Sequence, residues 1–107
     1  MNNIFLNYGV IFNRNNFAIF DLDWCLIKTK SGRIFPNDYD DWDFLFENIP
    51  DKLRELSKNK IIMILSNQMG ISEGKVDREK FIKKINNIQK KLNIPMIFCA
   101  SIYDDNY

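Results

Sequence analysis

Residues 17–27, Phe17-Ala18-Ile19-Phe20-Asp21-Leu22-Asp23-Trp24-Cys25-Leu26-Ile27, decide how the chain is read. Four apolar residues run straight into two aspartates spaced one apart. A short, continuous apolar run predicts a strand buried on both faces, as in a parallel sheet. Such sheets take their ligands beyond the carboxyl ends of the strands, where Asp21 and Asp23 emerge. Two carboxylates at that mouth repel each other and contribute nothing to packing. A cation between them removes the conflict.

Downstream, two more apolar runs repeat the pattern. Ile61-Ile62-Met63-Ile64-Leu65 reads as a second buried strand ending at Ser66-Asn67-Gln68, and Met96 to Ala100 as a third. A helix opens at Pro50, a residue suited to a first turn, with Asp51 favourable at the positive end and Leu53 and Leu56 on one stripe. A longer helix starts at Asp77, carrying Phe81, Ile85, Ile88 and Leu92 at spacings of four, three and four, until Asn93-Ile94-Pro95 breaks it. Three strands alternating with two helices predict an α/β domain with a parallel sheet and right-handed crossovers. Upstream, Ile4-Phe5-Leu6 and Val10-Ile11-Phe12 flank Asn7-Tyr8-Gly9, the pattern of an N-terminal β-hairpin. Residues 24–43 form a long excursion over the strand ends, turning at Gly32, and loops of that length in compact domains are usually functional or disordered. We read this excursion as a small flap, with Asp38, Asp40, Asp41 and Asp43 on its exposed surface.

At 107 residues the chain is a single domain (1–107), with an apolar content of 46% and a charged content of 27%, ordinary for a globular protein. A net charge of +1 makes no general case for nucleic acid. The basic helix from Arg78 to Lys91 reads first as a solvated face. Cys25 and Cys99 are too few for a disulfide framework and read as small buried hydrophobes. No run reaches membrane-spanning length, and the first residues lack the blocks of a signal peptide, so the expected location is the cytoplasm or nucleus.

A mouth with these residues suits phosphate-ester hydrolysis. One carboxylate attacks phosphorus to form an aspartyl-phosphate, and a second gives a proton to the leaving alkoxide and takes one from water. Mg²⁺ accepts hard oxygen ligands of this kind and offsets charge between carboxylates and phosphate. Asp21 then serves as nucleophile and metal ligand, and Asp23 as acid/base with its main-chain carbonyl open to the metal. Ser66 and the amides after it offer donors to phosphoryl oxygens, and Asn67 adds another donor or braces the loop. Taken singly these signals are weak. An Asp-x-Asp is more often a surface turn, and Ser66-Asn67 equally well just terminates a strand.

Longer motifs are more specific. Phe20-Asp21-Leu22-Asp23-x-x-Leu26 through Ile34-Phe35-Pro36 resembles the first motif of the polynucleotide kinase 3′-phosphatase family, within the haloacid dehalogenase superfamily. Asp41-Trp42 and Ile49-Pro50-x-Lys52-Leu53-x-Glu55-Leu56 resemble the segment that follows it there. Ser66-Asn67-Gln68-Met69-Gly70-Ile71-Ser72-x-Gly74-Lys75 resembles the second motif and its loop. The similarity runs from about Phe17 to the last residue. It implies a Rossmann-like fold and Mg²⁺-dependent removal of 3′-phosphates from DNA ends in repair. Asp21 is then the nucleophile, Asp23 the acid/base, Ser66 and Asn67 phosphate-binding, and Lys75 substrate-binding.

The chain also departs from the family pattern. Trp24-Cys25 replaces the usual Gly-Thr, exchanging a hydroxyl for a thiol, a much weaker donor. Glu73 stands where a basic residue is usual. The family's third motif, a lysine in Arg-Lys-Pro, and its later acidic motif have no counterpart before Tyr107. The sequence therefore reads as the amino-terminal part of such an enzyme, with an incomplete sheet, an apolar edge at Phe17 to Phe20, and missing motifs supplied by a separate chain. Two rivals remain: a phosphatase of the same superfamily acting on a small metabolite, and a non-catalytic module that binds DNA ends.

Overall fold

The computed structural model describes residues 3–12, 16–68 and 77–102. Within them the elements run β1 (Ile4–Tyr8), β2 (Phe17–Asp21), β3 (Ile27–Lys28), β4 (Asp43–Phe44), α1 (Ile49–Ser57), β5 (Ile61–Asn67), α2 (Arg78–Leu92) and β6 (Met96–Ser101). The main sheet has the order β1-β6-β5-β2. β2 pairs in parallel with β5, from Phe17 opposite Ile61 to Asp21 opposite Leu65, and β5 pairs in parallel with β6. The carboxyl ends of these three strands therefore lie side by side. β3 and β4 form a separate antiparallel ribbon that closes the base of the 24–43 excursion.

Both helices form for the reasons their sequences suggest. In α1, Pro50 sits in the first turn and Leu53 is buried. In α2, the Asp77 side chain accepts hydrogen bonds from the main-chain N–H groups of Glu79 and Lys80, satisfying two donors that have no partner within the helix. Phe81, Ile85, Ile88 and Leu92 are all buried, as their spacing requires. Asn93 ends the helix in the left-handed region at φ 53°, one of the few non-glycine residues that visits it readily. The core lies between the helices and one face of the sheet. It contains Ile62, Ile64, Ile85, Leu92, Met96 and Phe98, with Phe81 and Phe98 rings 5.8 Å apart.

Three sequence expectations change. The N-terminal hairpin is absent: β1 pairs antiparallel with β6, Ile4 opposite Ala100, so the sheet is mixed rather than wholly parallel. Ile4 is buried and Leu6 and Tyr8 pack on the core, a gain that Val10–Phe12 could not offer as partners. After β1 the Asn7 carboxamide instead accepts the Val10 N–H at 2.8 Å, and Ile11 and Phe12 lie exposed. Secondly, β2 is not buried on both faces. It is an edge of the sheet, and Phe17 and Ile19 are 39% and 58% exposed. This is the open apolar edge expected at Phe17 to Phe20. Phe5 and Leu65 are exposed too, while the opposite sheet face carries the helices. Thirdly, Cys25 is exposed and Cys99 only half-buried. No helix among the described residues is long and apolar enough to cross a membrane.

Candidate active site

β2 stops at Asp21 because the chain turns inward there. Leu22 is buried, and its carbonyl accepts the N–H groups of Cys25, Leu26 and Ile27 at 3.4, 3.0 and 3.2 Å. This tight loop carries Asp23 off the pleat and leaves it bridged to Ile27. Trp24 within it has a φ of 57°, a left-handed conformation that costs a residue with a Cβ about 1–2 kcal/mol and glycine far less. The loop geometry thus favours glycine at this position, and Trp24 occupies it at that cost. Trp24 is half-exposed.

Asp21 and Asp23 are both exposed at the carboxyl ends of the parallel strands. Asp21 lies one residue short of Ser66 in the register, and among the described residues its carboxylate makes no hydrogen bond or ion pair. Ser66, at the end of β5, is buried with only 8% of its surface exposed. Asn67 beside it is exposed and pairs with Ser101 in the strand register. The two sides of the mouth are joined by Gln68. Its Nε2 donates to Asp23 Oδ2 at 2.9 Å and to Ser66 Oγ at 2.6 Å, while its main-chain N–H donates to the Ser101 carbonyl at 2.7 Å. The structure thus connects Asp23 to Ser66 through one amide. Lys75 and Glu73 lie outside the described residues.

The flap is tied down by a residue the sequence placed on an exposed surface. Asp41 is buried, and its carboxylate accepts the Ser31 N–H and hydroxyl at 2.8 and 2.7 Å and the Asn37 N–H at 2.8 Å. These bonds, from the Ser31 hydroxyl first and the Asn37 main chain next, hold its carboxyl down at about 2. Asp41 thereby closes the 31–41 loop around Gly32, whose φ of 80° needs a residue without a Cβ. Trp42 follows it into the core and meets Phe44 edge-on at 5.3 Å.

Two residues of interest were not singled out from sequence. Gln68 was visible only as part of a strand end. Lys84, expected on a solvated face, is buried on α2, and burial lowers its pKa while the nearby carboxylates of Asp23 and Asp41 oppose that shift. Its place three residues after Phe81 and four before Ile88 already put it on the apolar stripe.

Among the described residues no group of three or more His, Cys, Asp or Glu is arranged to hold a metal. The donors available at the end of β2 are the hard oxygens of Asp21 and Asp23. That set fits Mg²⁺, which usually keeps several waters and takes few protein ligands.

Comparison with known proteins bears on this geometry. A family model for polynucleotide kinase 3 phosphatase matches residues 16–107. The bifunctional polynucleotide phosphatase/kinase of Schizosaccharomyces pombe is 38% identical over 101 residues, covering 94% of this chain and 25% of that protein. An uncharacterized 20.8 kDa protein of Autographa californica nuclear polyhedrosis virus is 32% identical over 95 residues, covering 88% of this chain and 51% of that one. The chain thus spans about a quarter and about half of these relatives. The matched region takes in both aspartates, the flap, Ser66 and α2. By that match the chain is a member of the polynucleotide kinase 3 phosphatase family.

Proposed function

We propose that this domain removes 3′-phosphates from DNA ends through an aspartyl-phosphate on Asp21, in a haloacid dehalogenase-type, Rossmann-like framework. The observation that carries the reading is the joining of Asp23 to Ser66 by Gln68, beside an Asp21 carboxylate with no partner among the described residues. Asp21 attacks phosphorus as the bond to the 3′ oxygen breaks, and Asp23 gives its proton to the departing alkoxide. Asp23 then takes a proton from a water that attacks the aspartyl-phosphate, releasing inorganic phosphate and restoring Asp21. The Ser66 hydroxyl donates to a phosphoryl oxygen with Asn67 at its flank, and Lys75 is the substrate-binding residue that the family resemblance implies. Asp21 and the main-chain carbonyl of Asp23 would hold Mg²⁺, which when bound offsets charge between carboxylates and phosphate. A DNA-end substrate places the protein in the nucleus or cytoplasm.

The test is release of inorganic phosphate from a 3′-phosphorylated oligonucleotide with Mg²⁺, set against a small phosphate ester. The reading expects a strong preference for the oligonucleotide, loss with EDTA, and loss in Asp21→Asn. Preference for the small ester would instead make this a metabolite phosphatase. Cys25, an exposed thiol in the loop that carries Asp23 where the resemblance implies a hydroxyl, favours one other reading, a DNA-end-binding module without turnover. That reading prevails if 3′-phosphate DNA binds and Asp21→Asn binds equally, with no phosphate released by either.

A further inference from the structure

The face of α2 that meets the flap carries several lysines, and one of them behaves differently. Lys80 lies 3.7 Å from an Asp38 oxygen, Lys83 stands 4.9 Å from the Tyr39 ring centre, and Lys91 stands 5.0 Å from that of Trp42. These three are exposed, and each has a partner on the flap. Lys84 lies one turn after Lys80 and two turns before Lys91, so it sits beneath the same segment, yet it is 95% buried, with only 5% of its surface exposed. It makes no hydrogen bond or ion pair with a described residue. The stem is buried but the ammonium is not sealed in, since among the described residues no fully buried side-chain nitrogen lacks a hydrogen-bond partner, and the tip of Lys84 therefore keeps contact with solvent.

The charges that act on Lys84 are Asp23 and Asp41. Asp41 already accepts three hydrogen bonds from Ser31 and Asn37. Asp23 belongs to the mouth. α2 follows β5 and so begins at the carboxyl ends of the parallel strands, and helical side chains lean toward the helix N-terminus. The lysine stem therefore leans toward the end of the sheet where Asp23 and Ser66 stand. A dianionic phosphate entering beside two carboxylates needs positive charge from the protein as well as from a metal.

We propose that Lys84 is a phosphate-binding residue of this site, its buried stem holding an ammonium at the mouth to meet the charge of the phosphoryl group. The proposal rests on the phosphatase reading for its substrate but is tested without turnover. The full chain is titrated with inorganic phosphate in the presence of Mg²⁺ by calorimetry, and its thermal unfolding is followed separately. Lys84→Met is expected to unfold at or above the wild-type temperature and to bind phosphate at least about tenfold more weakly, with Lys84→Arg restoring part of the affinity. On 3′-phosphorylated DNA its kcat/KM is expected to fall by about 10²–10³. Unchanged phosphate affinity in Lys84→Met overturns the proposal, as does a wild type that binds no phosphate. If Lys84→Met does not fold, the contrast passes to Lys84→Gln, expected to lose phosphate where Lys84→Arg keeps it, and equal affinity in those two overturns the proposal. A wild type that binds phosphate through Lys84 but turns over no DNA sinks the phosphatase reading alone.

Discussion

Replacing Gln68 with methionine keeps the length of the side chain and removes both of its donors. The main chain at this position stays in place, because its N–H is bonded to Ser101 rather than to anything the side chain controls. Two bonds are lost, one to the Asp23 carboxylate and one to the Ser66 hydroxyl. A bond to a charged group contributes about 1.5–3 kcal/mol and a neutral one about 0.5–1.5. Asp23 is exposed, so the low end of each range applies, giving about 2 kcal/mol for orienting the pair. If that orientation is used in proton transfer to the leaving group, 2 kcal/mol corresponds to about a 30-fold loss in kcat/KM. Folding should lose less, about 1 kcal/mol or 4–8 °C in Tm, because water replaces Gln68 at Asp23. The informative comparison is between leaving groups. A 3′ alkoxide needs Asp23 as acid, whereas a nitrophenolate leaves without a proton. Gln68→Met is therefore expected to slow cleavage of 3′-phosphorylated DNA about 30-fold and of nitrophenyl phosphate very little. An equal loss on both substrates, or no loss on either, would refute the idea that Gln68 acts through Asp23.

Other consequences can be checked on the same protein. Asp41 has a folded pKa of about 2, below its usual 3.8, so its contribution to stability is full above about pH 4 and is lost as pH falls through 2. Thermal unfolding between pH 5 and pH 2 should show that loss in the wild type, and Asp41→Asn should lower Tm at pH 7 and flatten the acid slope. Arg54 on α1 donates through Nε to the Leu92 carbonyl at 2.9 Å and through an Nη to that of Lys91 at 3.0 Å, covering the negative end of α2. With the side chain partly exposed, Arg54→Ala should cost about 2 kcal/mol by urea denaturation, and Arg54→Lys should recover little, having no planar fork. Ile19, exposed on the open edge β2, is a template for pairing with other chains. Ile19→Lys should reduce self-association in light scattering while changing stability by less than about 0.5 kcal/mol.

Local patterns in this sequence carry far. The 61–65 and 96–100 runs and the spacing of Phe81, Ile85, Ile88 and Leu92 each specify an element from neighbouring residues alone. So the alternation of strands and helices, and the position of Asp21, Asp23 and Ser66 at strand ends, were legible without coordinates. The quoted motifs also carried the family, because long ordered strings of residues are far more specific than one Asp-x-Asp. Lys84 was legible in principle, since its spacing sets it among apolar neighbours, but a lysine in a lysine-rich helix is easily read as solvated.

What required the tertiary structure was everything set by partners distant in sequence. Ile4 pairs with Ala100, at the far end of the described chain, and no local signal distinguishes that choice from a hairpin. The run at Phe17–Phe20 reads the same whether its strand is central or an edge, because apolar content reports preference for burial and not which neighbours exist. The burial of Asp41 depends on a loop closing over ten residues, and the bridge from Gln68 to Asp23 spans forty-five. Sequence alone therefore determined β2, β5, β6 and the two helices, and it put Asp21 and Asp23 at the end of a strand. The sheet order, the open edge, and the contacts of Gln68 and Lys84 were decided only when packing brought separate segments together.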